Sequence, residues 1–441
     1  MKKVAVVVLV LVAVFGLLQL VRPAIPSKPA TAEVQAPPEV RRVLEKSCYS
    51  CHSDETQLEW FDQVVPAYWL VRHDVLTARQ HLNFSELGAK PAAAQRAALF
   101  EAVNMIQLGA MPLPAFRMAH PEARITPEDL AVLKNYLAPW GTLPAPVATT
   151  SVVQAEARPE TVQAEPNGFA YDPSFADWKP ISTTDRGDNN TFRIILGNDV
   201  AVRAIESGNL SPWPDGARMA KIAWQQQPGQ DGLVHPGAFV QVELMVKDHA
   251  RYKDTEGWGW GRWRGLDLKP YGKDAGFVEE CTSCHKPMRG DDYVYTQPMT
   301  AAAAAGAEVV NSRAAALPAS LPYQPLGWGA ITMYVDPQRR ATALLYGNDA
   351  AMQAVRAHAA EYPAGAVLAL VTWAQRDDPH WFGARIPDTP LSVEFVQIAS
   401  EGQTGVYRRF AGAGLAEQHP AANEAEQRMR FMETLAPAQL P

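Results

Sequence analysis

At 441 residues the chain is long enough for about three domains at roughly 150 residues each. A hydrophobic fraction of 47% and a charged fraction of 20% are those of folded globular protein and argue against disorder. A net charge of −7 argues against nucleic acid as a partner.

The chain opens Met1-Lys2-Lys3 and then runs from Val4 to Val21 with only Gln19 polar. Eighteen helical residues cover about 27 Å, close to the ~30 Å hydrocarbon core of a bilayer. Signal-peptide apolar regions are shorter, roughly 7–15 residues. The reading is a membrane anchor with its lysines inside and the rest of the chain outside. Ala30-Thr31-Ala32 leaves open a cleaved leader and a released protein. Pro23 through Pro38 reads as a Pro/Ala-rich spacer, so residues 1–38 are assigned to anchor and spacer.

Residues 39–143 form the first predicted domain. Val40 to Lys46 has helical spacing and leads into Cys48-Tyr49-Ser50-Cys51-His52. Cys-x-x-Cys-His is the attachment signal of a c-type haem. On a helix, positions i, i+3 and i+4 share a face, so two thiols reach the porphyrin vinyls while the imidazole meets the iron. The motif recurs as Cys281-Thr282-Ser283-Cys284-His285, and the two copies use all four cysteines of the chain. A zinc site would need more ligands beside each pair, and a redox dithiol would want a βαβ setting. The expectation is two covalent haems, on Cys48 and Cys51 with His52 on iron, and on Cys281 and Cys284 with His285 on iron. Covalent haem and the lack of other cysteines point to the oxidising periplasm.

Further along, Gly109-Ala110-Met111-Pro112-Leu113-Pro114 is a turn-rich stretch that holds a methionine out of regular structure. A thioether from Met111 opposite His52 would give a low-spin, electron-transferring haem of raised potential. Met105, Met118, His73 and His81 compete for that place, and a buried gap-filling role for Met111 stays open. Thr126-Pro127-Glu128-Asp129 is a capped helix start, followed by an apolar stripe at Leu130, Leu133, Tyr136 and Leu137. With Trp60-Phe61, Pro66, Trp69-Leu70-Val71 and His81 to Glu86 added to the haem motif and the Met111 turn, this segment resembles the haem-binding domain family of bacterial c-type cytochromes. The resemblance implies an all-α monohaem cytochrome fold.

Residues 144–176 read as a linker, Pro144 to Asn167 being rich in Pro, Ala, Thr and Val without periodicity. Residues 177–300 mix strands with short helices. Phe192–Leu196, Phe239–Val246 and Trp258–Trp263 are β runs, Gly197-Asn198-Asp199 turns into a helix, and Pro214-Asp215-Gly216 is a turn. After a second linker, 301–322, residues 323–441 repeat this domain. Leu196-Gly197-Asn198-Asp199 corresponds to Tyr346-Gly347-Asn348-Asp349, Pro214 and Gly216 to Pro363 and Gly365, Trp224 to Trp373, and Val242-Glu243 to Val393-Glu394. The repeat contains no cysteine, so it is expected to be haemless and to pack on the haem copy as an intrachain pseudo-dimer. Glu243 and Glu394 survive in both copies and read as scaffold. Lys221 does not survive: seven residues after Pro363 stands Leu370. An apolar counterpart suggests an inward lysine, and a buried ammonium needs a chemical reason.

Leu196 to Asp199, Trp213 to Gly216, Lys221, Val246-Lys247-Asp248, Gly257 to Trp260, the second haem motif and Asp292 to Thr296 together resemble the cytochrome P-460 family. The resemblance implies α+β antiparallel-sheet domains and a lysine joined covalently to the porphyrin rim, here Lys221. It implies oxidation of hydroxylamine, a small nitrogen-containing substrate, at an open five-coordinate haem. It also implies a distal carboxylate, for which Asp274 and Glu279, acids shortly before Cys281, are the candidates; both also read as solvated loop or helix-start charges. The expectation is an inner-membrane-anchored, periplasm-facing dihaem cytochrome passing electrons through its low-spin haem to a periplasmic acceptor. Relatives called cytochrome c′-beta bind gases without oxidation, so a nitric-oxide binder or pure electron carrier stands as the alternative.

Overall fold

In a computed structural model of the protein, which describes residues 2–141, 161–299, 314–400 and 405–441, the chain divides into two units, Met1–Gly141 and Thr142–Pro441. Residues 144–160 and 301–313 of the two expected linkers lie outside the described residues.

The first unit is helical. Its apolar start forms α1 (Lys2–Leu18), 17 residues, about 25 Å at 1.5 Å per residue. Among the described residues no helix is long and apolar enough to cross a membrane. The helix ends where Gln19 exchanges hydrogen bonds with the backbone of Val65, at 3.1 and 2.9 Å. Trp69 Nε1 then donates to Val21 O at 2.7 Å and Tyr68 Oη to Pro23 O at 2.5 Å, so the proline-rich stretch is tied along the domain.

The helices that follow are α2 (Pro38–Ser47), α3 (Tyr49–His52), α4 (Ala67–His81), α5 (Phe84–Leu87), α6 (Ala92–Gln107), α7 (Pro114–Ala119) and α8 (Pro127–Leu137). Their core joins Val40, Val43 and Leu44 of α2, spaced to share one face, with Val75, Phe84, Phe100, Val103, Leu133 and Leu137. A capping box starts α8, with Thr126 and Asp129 exchanging backbone-to-side-chain bonds at 3.1 and 3.2 Å. Asp129 also accepts from Arg42 and Lys46 of α2, which fixes α8 against the helix leading into the haem motif.

The second unit is built on one antiparallel sheet system in which the same element order occurs twice. The first half carries β1 (Lys179–Arg186), β2 (Thr191–Gly197), α9 (Asp199–Ser207), β3 (Arg218–Pro228), β4 (Val234–Lys247), β5 (Trp258–Arg264), the short β6 (Lys269–Pro270) and α10 (Val278–His285). The second carries β7 (Gly329–Asp336), β8 (Ala341–Gly347), α11 (Asp349–Arg356), β9 (Val367–Asp377), β10 (Ala384–Gln397), β11 (Val406–Ala411), β12 (Ala416–Gln418) and α12 (Ala422–Thr434). Each half runs in sequential hairpins. The halves meet where β4 pairs with β7 at Val234 and Val335, and where β1 pairs with β10 at Asp185 and Arg385. Strands β1-β2-β3-β4-β7-β8-β9-β10 thereby close on themselves as a barrel.

Strand alternation gives each sheet two apolar faces. Phe192, Ile194 and Leu196 of β2 and Ala220, Ile222 and Trp224 of β3 enter one core with Leu344, Tyr346, Val371 and Trp373 of the second half. The intervening residues face outward to a different cover in each half. The first half's outer face packs under α9, α10 and Tyr293-Val294. The second's packs under α11 and under Met432 of α12 and Leu435. The repeated Gly-Asn-Asp does the same work in both halves. Asn198 caps α9 through Ala201 N (3.0 Å) and donates to Gly216 O (2.9 Å), while Asn348 caps α11 through Ala351 N (3.1 Å) and donates to Gly365 O (3.0 Å).

Residues 161–176, expected from composition as the end of a linker, are packed. Phe169 and Phe175 enter the shared core. Buried Glu165 accepts from the backbone of Arg262, Tyr271 and Gly272 at 2.9, 3.1 and 3.0 Å.

Candidate haem sites

The second Cys-x-x-Cys-His motif lies on α10 and the first runs from the turn at Cys48 into α3, and none of the four cysteines is disulfide-bonded. In the second unit α10 sets Val278 and Cys281 against the outer core of the first half. His285, at the helix end, donates from Nδ1 to the carbonyl of Tyr293 at 2.6 Å. A carbonyl can only accept, so Nδ1 carries the proton and Nε2 keeps a free lone pair, the arrangement a metal-binding histidine requires. The ring is gripped edge-on by Trp260 (4.6 Å) and Tyr295 (5.1 Å), and Tyr295 Oη donates to Cys284 O at 2.7 Å. Burial pushes His285 down to about 4, so it is neutral at physiological pH as a ligand must be. Burial likewise raises the Cys281 thiol to about 12.

Beside this helix the outer face of the sheet carries a row of charge. Lys221 of β3 stands opposite Glu243 of β4, which stands opposite Arg262 of β5. Lys221 Nζ lies 2.6 Å from the Glu243 carboxylate and Arg262 Nε 3.6 Å from it. Arg262 also reaches Glu280 at 3.1 Å, and Tyr271 Oη donates to the same carboxylate at 2.7 Å. The row reaches the helix of His285 through the Arg262–Glu280 pair, and its charges bear on the buried imidazole. Burial alone would raise Glu243, but Arg262, Lys221 and Arg193 hold it well below the ordinary carboxylate range. Burial lowers Lys221 to about 8 against the opposing pull of Glu243.

Asp274 and Glu279 stand apart from this row. Asp274 is exposed and caps a short 3-10 turn through Gly276 N at 2.8 Å. Glu279 is exposed in the first turn of α10. The side chains the sequence reading passed over are Glu243, taken there as scaffold, with Arg262 and Arg193. A register signal existed: Arg193 is two residues from Ile195, the partner of Lys221, and so shares its face.

In the second half Leu370 takes the place of Lys221, while Glu394 and Arg409 keep the places of Glu243 and Arg262 in the register. Leu370 is fully buried under α12. Glu394 is bound by Arg428 of α12 through two bonds of 2.8 Å and by Tyr407 Oη at 2.5 Å.

In the first unit α2 ends at Cys48, and α3 carries Tyr49 to His52. His52 Nδ1 donates to Leu82 O at 2.9 Å, again leaving Nε2 free, and burial lowers its pKa. Burial raises Cys48 to about 12 and Cys51 to about 11. Met111 lies half-buried in the irregular stretch between α6 and α7, its amide donating to Met105 O at 3.1 Å. Of its competitors, His73, His81 and Met118 are exposed and Met105 is half-buried.

These residues fit haem. Among the described residues no group of three or more His, Cys, Asp and Glu side chains could hold a bare metal ion. Trp260 Nε1 and Arg193 Nε, buried at the second site, have no hydrogen-bond partner, as donors awaiting a polar group would. A helical unit followed by a barrel-rich unit, each presenting such a helix, defines a haem cytochrome. Residues 7–139 match the Haem-binding domain family and residues 173–296 match Cytochrome P460, so the chain is a haem-binding domain fused to a cytochrome P460 domain. No curated protein matches it significantly.

Proposed function

We propose that the protein is a periplasm-facing dihaem cytochrome that oxidises hydroxylamine at the His285 site. The observation that supports this best is the Lys221–Glu243–Arg262 row beside His285, with its apolar replacement at Leu370. Bound there, haem would supply an iron position for the substrate nitrogen and take up its electrons. Two hydroxylamines yield one nitrous oxide, one water, four protons and four electrons, so each turnover needs a proton acceptor at the substrate. Glu243 is the carboxylate placed for that work, and it gains the basicity the role needs once Lys221 no longer carries a charge beside it. Arg262 remains as its counter-charge, and Arg193 adds a donor on the same face.

Lys221 would be joined to the porphyrin rim as a secondary amine, a protein-supplied tuning of the cofactor. Forming that C–N bond removes one N–H and one C–H hydrogen, with two electrons going to an oxidant of the peroxide class. The linkage would abolish the ammonium and release Glu243 from its 2.6 Å ion pair, leaving the carboxylate available as base. Electrons would leave through a low-spin haem on Cys48 and Cys51, with His52 and Met111 on its iron, to a periplasmic acceptor. The apolar α1 would hold the protein to the inner membrane.

Three measurements on the purified full-length protein test this. Peptide mass spectrometry should find the Lys221 peptide attached to haem, and a haem-free Lys221 peptide refutes the link. Lys221→Leu should keep haem on both cysteines and keep nitric oxide binding, while losing the red-shifted Soret band and hydroxylamine-driven acceptor reduction. A linked protein that reduces no acceptor with hydroxylamine is a gas binder instead.

A further inference from the structure

The first half buries a second lysine that the chemistry above does not use. Lys247 ends β4 with its side chain wholly buried, its Nζ 2.7 Å from the Asp292 carboxylate and 4.8 Å from the centre of the Trp258 ring. A buried ammonium is costly and survives only when paired. The scaffold itself has no need of this charge. Lys247 N donates to Ala217 O at 2.9 Å, and its carbonyl accepts from Gly216 N at 2.9 Å. In the second half Ile398 makes the same two bonds, to Ala366 O at 2.9 Å and from Gly365 N at 3.1 Å. The charge is therefore present only in the half that carries a Cys-x-x-Cys-His helix.

What the lysine holds is the segment that orients His285. The other Asp292 oxygen accepts from Trp213 N at 2.8 Å, and Asp292 O accepts from Trp258 Nε1 at 2.9 Å. Asp292 (φ 49°) and Tyr293 (φ 68°) are consecutive non-glycine residues in the left-handed region. Such backbone persists only where its surroundings over-determine it. This turn aims the Tyr293 carbonyl at His285 Nδ1, 2.6 Å away.

We propose that Lys247 and Asp292 form a positioning brace that locks the left-handed turn so that Tyr293 fixes the ring of the iron ligand His285. The inference rests on the reading of His285 as that ligand. A firm Nδ1–H···O=C bond raises the donor strength of an imidazole, which favours oxidised iron. Loss of the brace weakens that bond and favours reduced iron.

The test is Lys247→Met in the full-length haem-loaded protein, read by resonance Raman of the reduced state and by redox titration. The iron–histidine stretching band shifts down and broadens. The reduction equilibrium moves about tenfold toward reduced iron, about 59 mV upward for one electron. Removing a cation without moving the ligand would shift the potential the other way, so the sign separates positioning from charge. Lys247→Met with Asp292→Asn leaves net charge unchanged, gives the same upward shift, and is the variant read if the single change does not load haem. An unmoved band and potential, or a downward shift, overturns the brace. Absence of an iron–histidine band from the wild-type reduced protein overturns the ligand reading, and the brace with it.

Discussion

Glu243 shows how one carboxylate can be set for two tasks by its neighbours. Arg262 and Lys221 keep it ionised but make it a weak proton acceptor, and loss of the Lys221 charge on linkage to haem would bring it back toward a working base. Glu243→Gln should lower turnover with hydroxylamine by roughly 10²- to 10⁴-fold, the usual worth of a positioned base, with haem content unchanged by pyridine haemochrome assay. The same depression has a stability consequence. A carboxylate whose folded pKa lies below its unfolded value of 4.5 stabilises the fold above that pH and loses the contribution as pH falls further. Wild type should therefore lose stability more steeply than Glu243→Gln below about pH 4.5, as acid titration of the unfolding midpoint would show. The haem-motif cysteines and histidines could be picked out of the sequence because their chemistry dictates a local spacing, and Lys221 because a leucine replaces it. Glu243 was hidden by Glu394. The two share a register position and each stands opposite an arginine of the next strand, Arg262 or Arg409, but Arg409 turns to Glu424 and Glu394 is bound by Arg428 of α12 instead. Partners drawn from different elements leave no mark on a one-dimensional pattern.

At the scale of elements, α10 and α12 answer the same physical demand. A sheet apolar on both faces needs a cover on each side. The first half's outer face lies under α10, and the second's takes Met432 and Leu435. Arg428 makes α12 more than an apolar lid, because it neutralises Glu394, which is 4% exposed. Arg428→Met should cost about 3–5 kcal/mol by stranding a buried carboxylate, and adding Glu394→Leu should recover most of it. Thermal unfolding of the two variants checks both halves of that statement, and equal midpoints would discount the ion pair. Locally encoded elements were readable beforehand. β2, β4, β5 and the capped start of α8 carry their own alternation or capping residues. The packing of residues 161–176 was not readable, since Glu165 and Phe169 act through distant strands within a polar, proline-rich stretch.

For the molecule as a whole, the strand pairs that join the two halves, Val234 with Val335 and Asp185 with Arg385, lie about 100 and 200 positions apart in sequence, beyond any periodicity argument. Because one core serves both halves, we read the cysteine-free half as the standing partner of the P460 domain in an intrachain pseudo-dimer, rather than as a module that comes and goes. The division of labour between the two haem sites then rests on their ligands. His285 would leave its iron open for substrate. Met111 would close the iron of the His52 site and raise its potential, making that haem the sink for electrons from the other. Met111→Ala should abolish the near-infrared sulfur–iron charge-transfer band, lower the potential of that haem alone, and leave hydroxylamine binding intact. Replacing Cys48 and Cys51 by serine should remove one haem by mass. Hydroxylamine should still reduce the remaining haem in that variant, while transfer to an external acceptor slows. A wild type without the near-infrared band, or a band that survives Met111→Ala, would return the ligand to Met105, the other half-buried candidate. Unchanged transfer after loss of the first haem would mean that electrons leave directly from the P460 site.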